Sequence, residues 1–177
     1  MTQTLFSRWL AGALVFSQLL TPALGQTPVS SPRLDPALVT YFSGEWTGEG
    51  AFAAGRPIAA DLSFHLSLDS AWLVYEHRDR SPNQYKATSY WGVDGQSGLF
   101  VAYAFDNFHG HRQFASNGWA DGKLILSARG AGRAGVVFEH FIFEARSDTQ
   151  FKMTYETSPD GISWRLGDWL VFHRVVK

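Results

Sequence analysis

The chain of 177 residues contains no cysteine, so no disulfide framework holds it together and no cysteine–histidine pair is available for nucleophilic chemistry. With 15 basic against 16 acidic residues and no basic stripe, it lacks the electrostatic footprint of a nucleic-acid binder. Past Phe42 no segment keeps a helical period, so the crossover helices that a parallel sheet requires are missing. The apolar run Trp9 to Leu20 falls short of the roughly 20 residues needed to span a bilayer. Nucleophile elbows and His-Glu zinc motifs are also absent. A conventional enzyme would have to assemble its groups from scattered residues, and none is expected here.

The first 25 residues read as an export signal. Arg8 gives a positive start, Trp9 to Leu20 an apolar centre, and Ala23-Leu24-Gly25 a small-x-small cleavage site. No cysteine follows to carry a lipid, and no membrane span is expected after cleavage. The leader holds one of the 15 basic residues and none of the acidic ones, so the mature chain carries a formal charge of −2. An exported protein, periplasmic or secreted, is expected. Residues 26–34, with Pro28, Ser30, Ser31 and Pro32, read as a flexible tether ahead of one domain over 35–177. Asp35-Pro36 then reads as an N-cap followed by proline at the first helical position, opening a short helix over 36–42 at one end of the domain.

From Glu45 onward turns alternate with strands. Ile58, Ala60, Leu62, Phe64, Leu66 and Leu68 alternate with polar residues, the period of a strand with one face in the core. Asp94-Gly95, Asp121-Gly122 and Asp160-Gly161 are hairpin signals, because both residues of the pair tolerate positive φ. Ten strands follow, near 45–54, 58–69, 71–80, 85–93, 99–106, 111–119, 123–129, 136–145, 149–157 and 162–176, the last interrupted near Gly167. Sequential antiparallel strands close most simply as an all-β, up-and-down barrel, which removes exposed edges; a two-sheet sandwich is the alternative. Aromatic residues make up 15% of the chain, enough to build a core without disulfides.

Gly44, Trp46, Gly48, Gly50 and Phe52 fall on one face of the first strand, the pattern of a sharply curved strand with one bulky plug. This Gly-x-Trp-x-Gly-x-Gly run resembles the first-strand signature of calycin-type barrels: lipocalins, fatty-acid-binding proteins and nitrobindins. Trp91-Gly92-Val93-Asp94, Phe105 to Gly110, Gly118 to Gly122 and Phe172-His173-Arg174 resemble a bacterial domain family of unknown function of the same type, over about 38–176. The resemblance implies that Arg174 covers Trp46 and closes the barrel. It also raises a haem protein of the nitrobindin kind as an alternative function. Aligning the terminal Phe172-His173-Arg174 with that family, however, places Gly167 where the axial histidine belongs, and Ala51 to Ala54 replaces the tyrosine-proline segment. No cofactor is therefore expected.

Three apparent motifs have plainer readings. Gly130-Ala131-Gly132-Arg133-Ala134-Gly135 matches the dinucleotide fingerprint, yet the β-branched and aromatic run Val136 to Phe143 follows it where a helix N-terminus is required, so a flexible hairpin loop is expected. His109 and His111 flank Gly110 in a turn and would need Asp106 or His140 to complete a metal site; no metal is assigned. Glu45, Thr47 and Glu49 lie opposite Trp46 and read as a hydrated strip.

By parity, the inner wall comprises Trp46, Phe64, Leu66, Leu73, Tyr75, His77, Trp91, Phe114, Phe151, Met153, Tyr155 and Phe172. Of these, Tyr75, His77, Trp91, Phe114, Phe151, Met153 and Tyr155 are the candidate ligand-binding residues. The polar tips of Tyr75, His77 and Tyr155 would orient one small apolar or amphipathic molecule. The competing reading is a solid aromatic core, which makes the chain a structural or partner-binding module of the cell envelope.

Overall fold

The computed structural model describes residues 32–132 and 135–176. The expected export signal and residues 26–31 of the tether lie outside the described residues. Leu34, at the end of that tether, is buried in the core, so the ordered domain reaches at least to this residue.

Helix α1 spans Pro36–Phe42. Asp35 caps it, its Oδ1 accepting a hydrogen bond from the Ala37 N–H at 2.8 Å. Seven residues are too few for a helix to persist alone in water. It is held instead by Leu38 and Phe42, both fully buried.

Ten antiparallel strands follow: β1 (Gly44–Phe52), β2 (Pro57–Ser67), β3 (Trp72–Asp79), β4 (Lys86–Val93) and β5 (Phe100–Asp106), then β6 (His111–Ser116), β7 (Lys123–Gly132), β8 (Gly135–Ser147), β9 (Gln150–Ser158) and β10 (Arg165–Arg174). Each pairs with its sequence neighbours, and β10 pairs back onto β1, closing the barrel. The expected fold class is the observed one. The Asp-Gly chemistry acts as proposed at Asp121-Gly122, where both residues have positive φ (52° and 72°), the backbone of a type I′ turn.

Two glycines of β1 are required by close approach. A Cβ on Gly50 would collide with the Trp169 carbonyl and the Leu170 Cα of β10, and one on Gly48 would enter the ring of Phe172. The strand therefore lies tightly against β10, with Trp46 as its only bulky inward residue before Phe52.

The two ends of the barrel differ. At one, Phe42 of α1 inserts among Phe64, Trp91, Trp119, Phe143 and Phe151, with ring centroids 5.1 to 5.9 Å away. Arg174 seals this end: its guanidinium lies 4.3 Å over the Trp46 ring and donates to the carbonyls of Tyr41 and Ser43. The Trp46 indole N–H donates to the Phe42 carbonyl at 2.8 Å. The helix is thus a plug.

Three expectations need correction. Leu66 has inward parity but sits at the end of β2 and is 42% exposed. The glycine-rich stretch is mostly strand rather than loop, since β7 runs through Gly132 and pairs Gly132 with Gly135 of β8. Finally, Phe151 lies in the plugged end, fully buried and stacked on Phe172 at 5.1 Å, so it packs the core and does not line the cavity described next.

Candidate functional site

At the end opposite α1 the barrel is hollow. A cavity of about 390 Å³ opens between the β1–β2 hairpin, the β3–β4 loop and the β5–β6 turn. Ligand sites generally enclose about 300 to 1,000 Å³, whereas filled cores leave only water-sized voids. Tyr75, His77, Trp91, Phe114, Met153 and Tyr155 line it, together with Ile58, Leu126, Phe141, Phe143 and Leu170.

The polar groups form two clusters. One runs along β3, whose alternate residues Tyr75, His77 and Asp79 face inward. The Tyr75 hydroxyl lies 2.9 Å from His77 Nδ1, and His77 Nε2 lies 2.8 Å from Asp79 Oδ1. An ionised carboxylate only accepts, so neutral His77 carries its proton on Nε2, donates it to Asp79, and accepts the Tyr75 O–H at Nδ1. The phenol oxygen keeps its lone pairs. Burial raises the Tyr75 pKa well above its ordinary value, so it remains a neutral phenol.

The second cluster is built on Arg112 of β6. Its guanidinium donates to Glu139 (3.1 Å), Asp106 (3.1 Å) and the Tyr85 hydroxyl (3.0 Å). Glu139, 7% exposed, also accepts the Tyr155 O–H at 2.7 Å. Desolvation, followed by the bond to Glu139, pushes the Tyr155 pKa up. Asp106 additionally accepts the backbone N–H groups of Phe108 and Gly110, each at 2.9 Å, which shapes the turn at the cavity mouth.

Asp168 stands apart. It faces the cavity from β10, paired in register with Tyr155 on one side and Phe52 on the other, and its side chain makes no hydrogen bond or ion pair with any described residue. Desolvation pushes its pKa up to about 6; His77 lowers it in part and Asp79 raises it. A register shift between Leu166 and Asp168 places the extra residue at Gly167 and turns Leu166 outward, 45% exposed. Asp168 is the residue of β10 nearest the mouth that lines the cavity. A side chain at Gly167 would strike the Tyr155 ring at 2.6 Å.

The three tips named from sequence as needing a partner, Tyr75, His77 and Tyr155, all find one within the protein. Two buried donors lack a hydrogen-bond partner among the described residues, Arg80 Nε and the indole N–H of Trp91, and of these Trp91 lies in the cavity wall. Sequence reasoning missed Asp79, Arg112, Glu139 and Asp168, although three of them share parity with an inward residue already named: Asp79 with His77, Arg112 with Phe114, and Asp168 with Phe172; no residue of β8 is among those assigned inward by parity, so Glu139 has no such reference.

The other histidines are engaged or outward. His140 bonds Glu156 at 3.0 Å and stacks on Trp164 at 3.5 Å, while His65, His109, His111 and His173 are exposed. Among the described residues no three histidine, aspartate or glutamate side chains cluster to hold a metal ion. Nor do the residues suit haem: His77 has both ring nitrogens bonded, Gly167 sits in the bulge, and His173 faces away from the cavity.

No protein-family model and no curated protein matches the chain. Among solved structures it is similar to the crystal structure of Rv2717c from M. tuberculosis, with a TM-score of 0.52 and 14% identity, over 81% of this chain and 99% of that one. At this identity the similarity is one of fold.

Proposed function

We propose that this chain is an exported, calycin-like barrel that binds one small, largely apolar or amphipathic molecule in its cavity. The observation that carries the reading is the cavity of about 390 Å³, walled by aromatic and aliphatic side chains on its inner part and by two polar clusters nearer its mouth. That asymmetry suits a molecule with an apolar body and one polar end. Export rests on the sequence of the leader alone. The glycine-tryptophan signature of β1, with Arg174 over Trp46, supports the calycin resemblance.

The protein's own chemistry in this reading is recognition. Tyr75 offers a lone pair, Trp91 an unpaired donor, and the Arg112 cluster fixes the wall against which the molecule lies. Calorimetric titration with 4-phenylbutan-1-ol, a probe with an apolar body and one hydroxyl, tests the reading. One-to-one saturable binding supports it. Absence of heat at millimolar probe, in protein whose near-ultraviolet circular dichroism reports a folded core, refutes it.

A further inference from the structure

Asp168 is a cavity-facing carboxylate with no partner among the described residues, in a wall that is otherwise mostly apolar. Every other ionised group lining the cavity is matched: Asp79 by His77, Arg112 by Asp106 and Glu139, and Arg56 by the face of Phe52 (4.0 Å) and by Asn83. Counting the lining residues and these partners, with His77 neutral, four carboxylates face two guanidinium groups, an excess of two negative charges. The deeper wall is aromatic, and aromatic faces attract cations that have left water.

We propose that the polar end of the ligand is an organic ammonium group, bound by the Asp168 carboxylate while the apolar body enters the aromatic part of the cavity. This rests on the reading of the cavity as a small-molecule site and names the ligand class for it. A half-buried carboxylate without a partner is stabilised by a cation that comes to it. Desolvation by the cavity wall raises the Asp168 pKa, and His77 offsets this only in part. The β10 bulge keeps Leu166 from covering it, so the carboxylate remains open toward the mouth.

The test compares three probes that share one body: 4-phenylbutylamine, 4-phenylbutan-1-ol and 4-phenylbutyrate, titrated calorimetrically at pH 7.5. The amine binds about ten-fold or more tightly than the alcohol, and the carboxylate most weakly. In Asp168→Asn the amine-to-alcohol ratio falls to about one. The groups facing Asp168 are Tyr75, His77 and Asp79 from β3, Tyr155 from β9, and Arg56 beside Phe52 of β1. A second arm that needs no variant uses the wild-type protein at pH 5, where the amine preference shrinks as Asp168, with its pKa raised to about 6, takes up a proton. Equal binding of all three probes, or a preference for the carboxylate, overturns the ammonium assignment and leaves the cavity reading standing. Binding of none overturns both. An amine preference that persists in Asp168→Asn moves the contact to another residue and overturns the role of Asp168.

Discussion

The guanidinium of Arg174 lies 4.3 Å above the ring of Trp46, its direct partner across the β1–β10 pair, and also donates to the carbonyls of Tyr41 and Ser43. One side chain thus joins the last strand, the first strand and the end of α1, whose final carbonyls have no partner within the helix. Arg174→Ala should cost about 2 to 4 kcal/mol, from the lost charged hydrogen bonds and the lost cation–π contact. Urea unfolding measures this. A change below about 0.5 kcal/mol, the size of an ordinary surface effect, contradicts it.

Asp168 gives the domain a pH-dependent stability term. Its pKa rises from 3.8 to about 6 on folding, so between these values the folded state holds a proton that the unfolded chain releases. Stability from this group is full below about pH 4, is lost progressively as the pH rises to and through about 6, and changes no further above that. Asp168→Asn should therefore be more stable than the wild type at pH 7, by up to about 3 kcal/mol, and no more stable at pH 3.5. Equal loss of stability at both pH values contradicts this.

Alanine substitutions at glycines should separate sharply. Gly50→Ala drives a methyl into the β10 backbone and is expected to cost more than about 4 kcal/mol or abolish folding. Gly130→Ala meets open space, and removing glycine from a strand interior should leave stability unchanged or raise it by about 0.5 kcal/mol. Thermal unfolding of the two proteins provides the comparison; similar midpoints would contradict it.

The phenols should titrate late. Burial raises Tyr75 and Tyr155 well above the ordinary phenol range and raises Tyr41 to about 12, so at least these three of the six tyrosines resist ionisation at pH 11 while the fold persists. Ultraviolet absorbance at pH 11 should show at most three phenolates in folded protein and nearly six in urea. Four or more in folded protein contradicts the burial of these side chains.

Much of this architecture was legible because it is local. Period-two alternation set the strands, and the missing helical period left antiparallel closure as the simplest arrangement. Of the Asp-Gly pairs only Asp121-Gly122 turns with both residues at positive φ; at Asp160-Gly161 only the glycine does, and at Asp94-Gly95 neither does. Parity identifies the face of a strand but not how deep a residue sits, because depth depends on the stagger of the closed sheet. Phe151 and Leu66 share inward parity with cavity residues, yet one lies in the plug region and the other at the rim. The polar clusters were hidden for a related reason. Arg112, Glu139 and Asp168 are charged, and a charged residue in a strand reads as outward until its partners on distant strands are known. The Arg112–Glu139 contact joins residues 27 apart in sequence.

The central claim is that the barrel is hollow and takes a guest in the cavity opposite α1. Titration with N-phenyl-1-naphthylamine, a neutral fluorophore that brightens on leaving water, tests it most directly when the wild type is compared with Ala104→Trp, which places an indole into the cavity wall. The account predicts saturable, one-to-one enhancement in the wild type and at least about a ten-fold loss of affinity in the folded variant. No saturable binding in the wild type, or equal binding by both proteins, would contradict it.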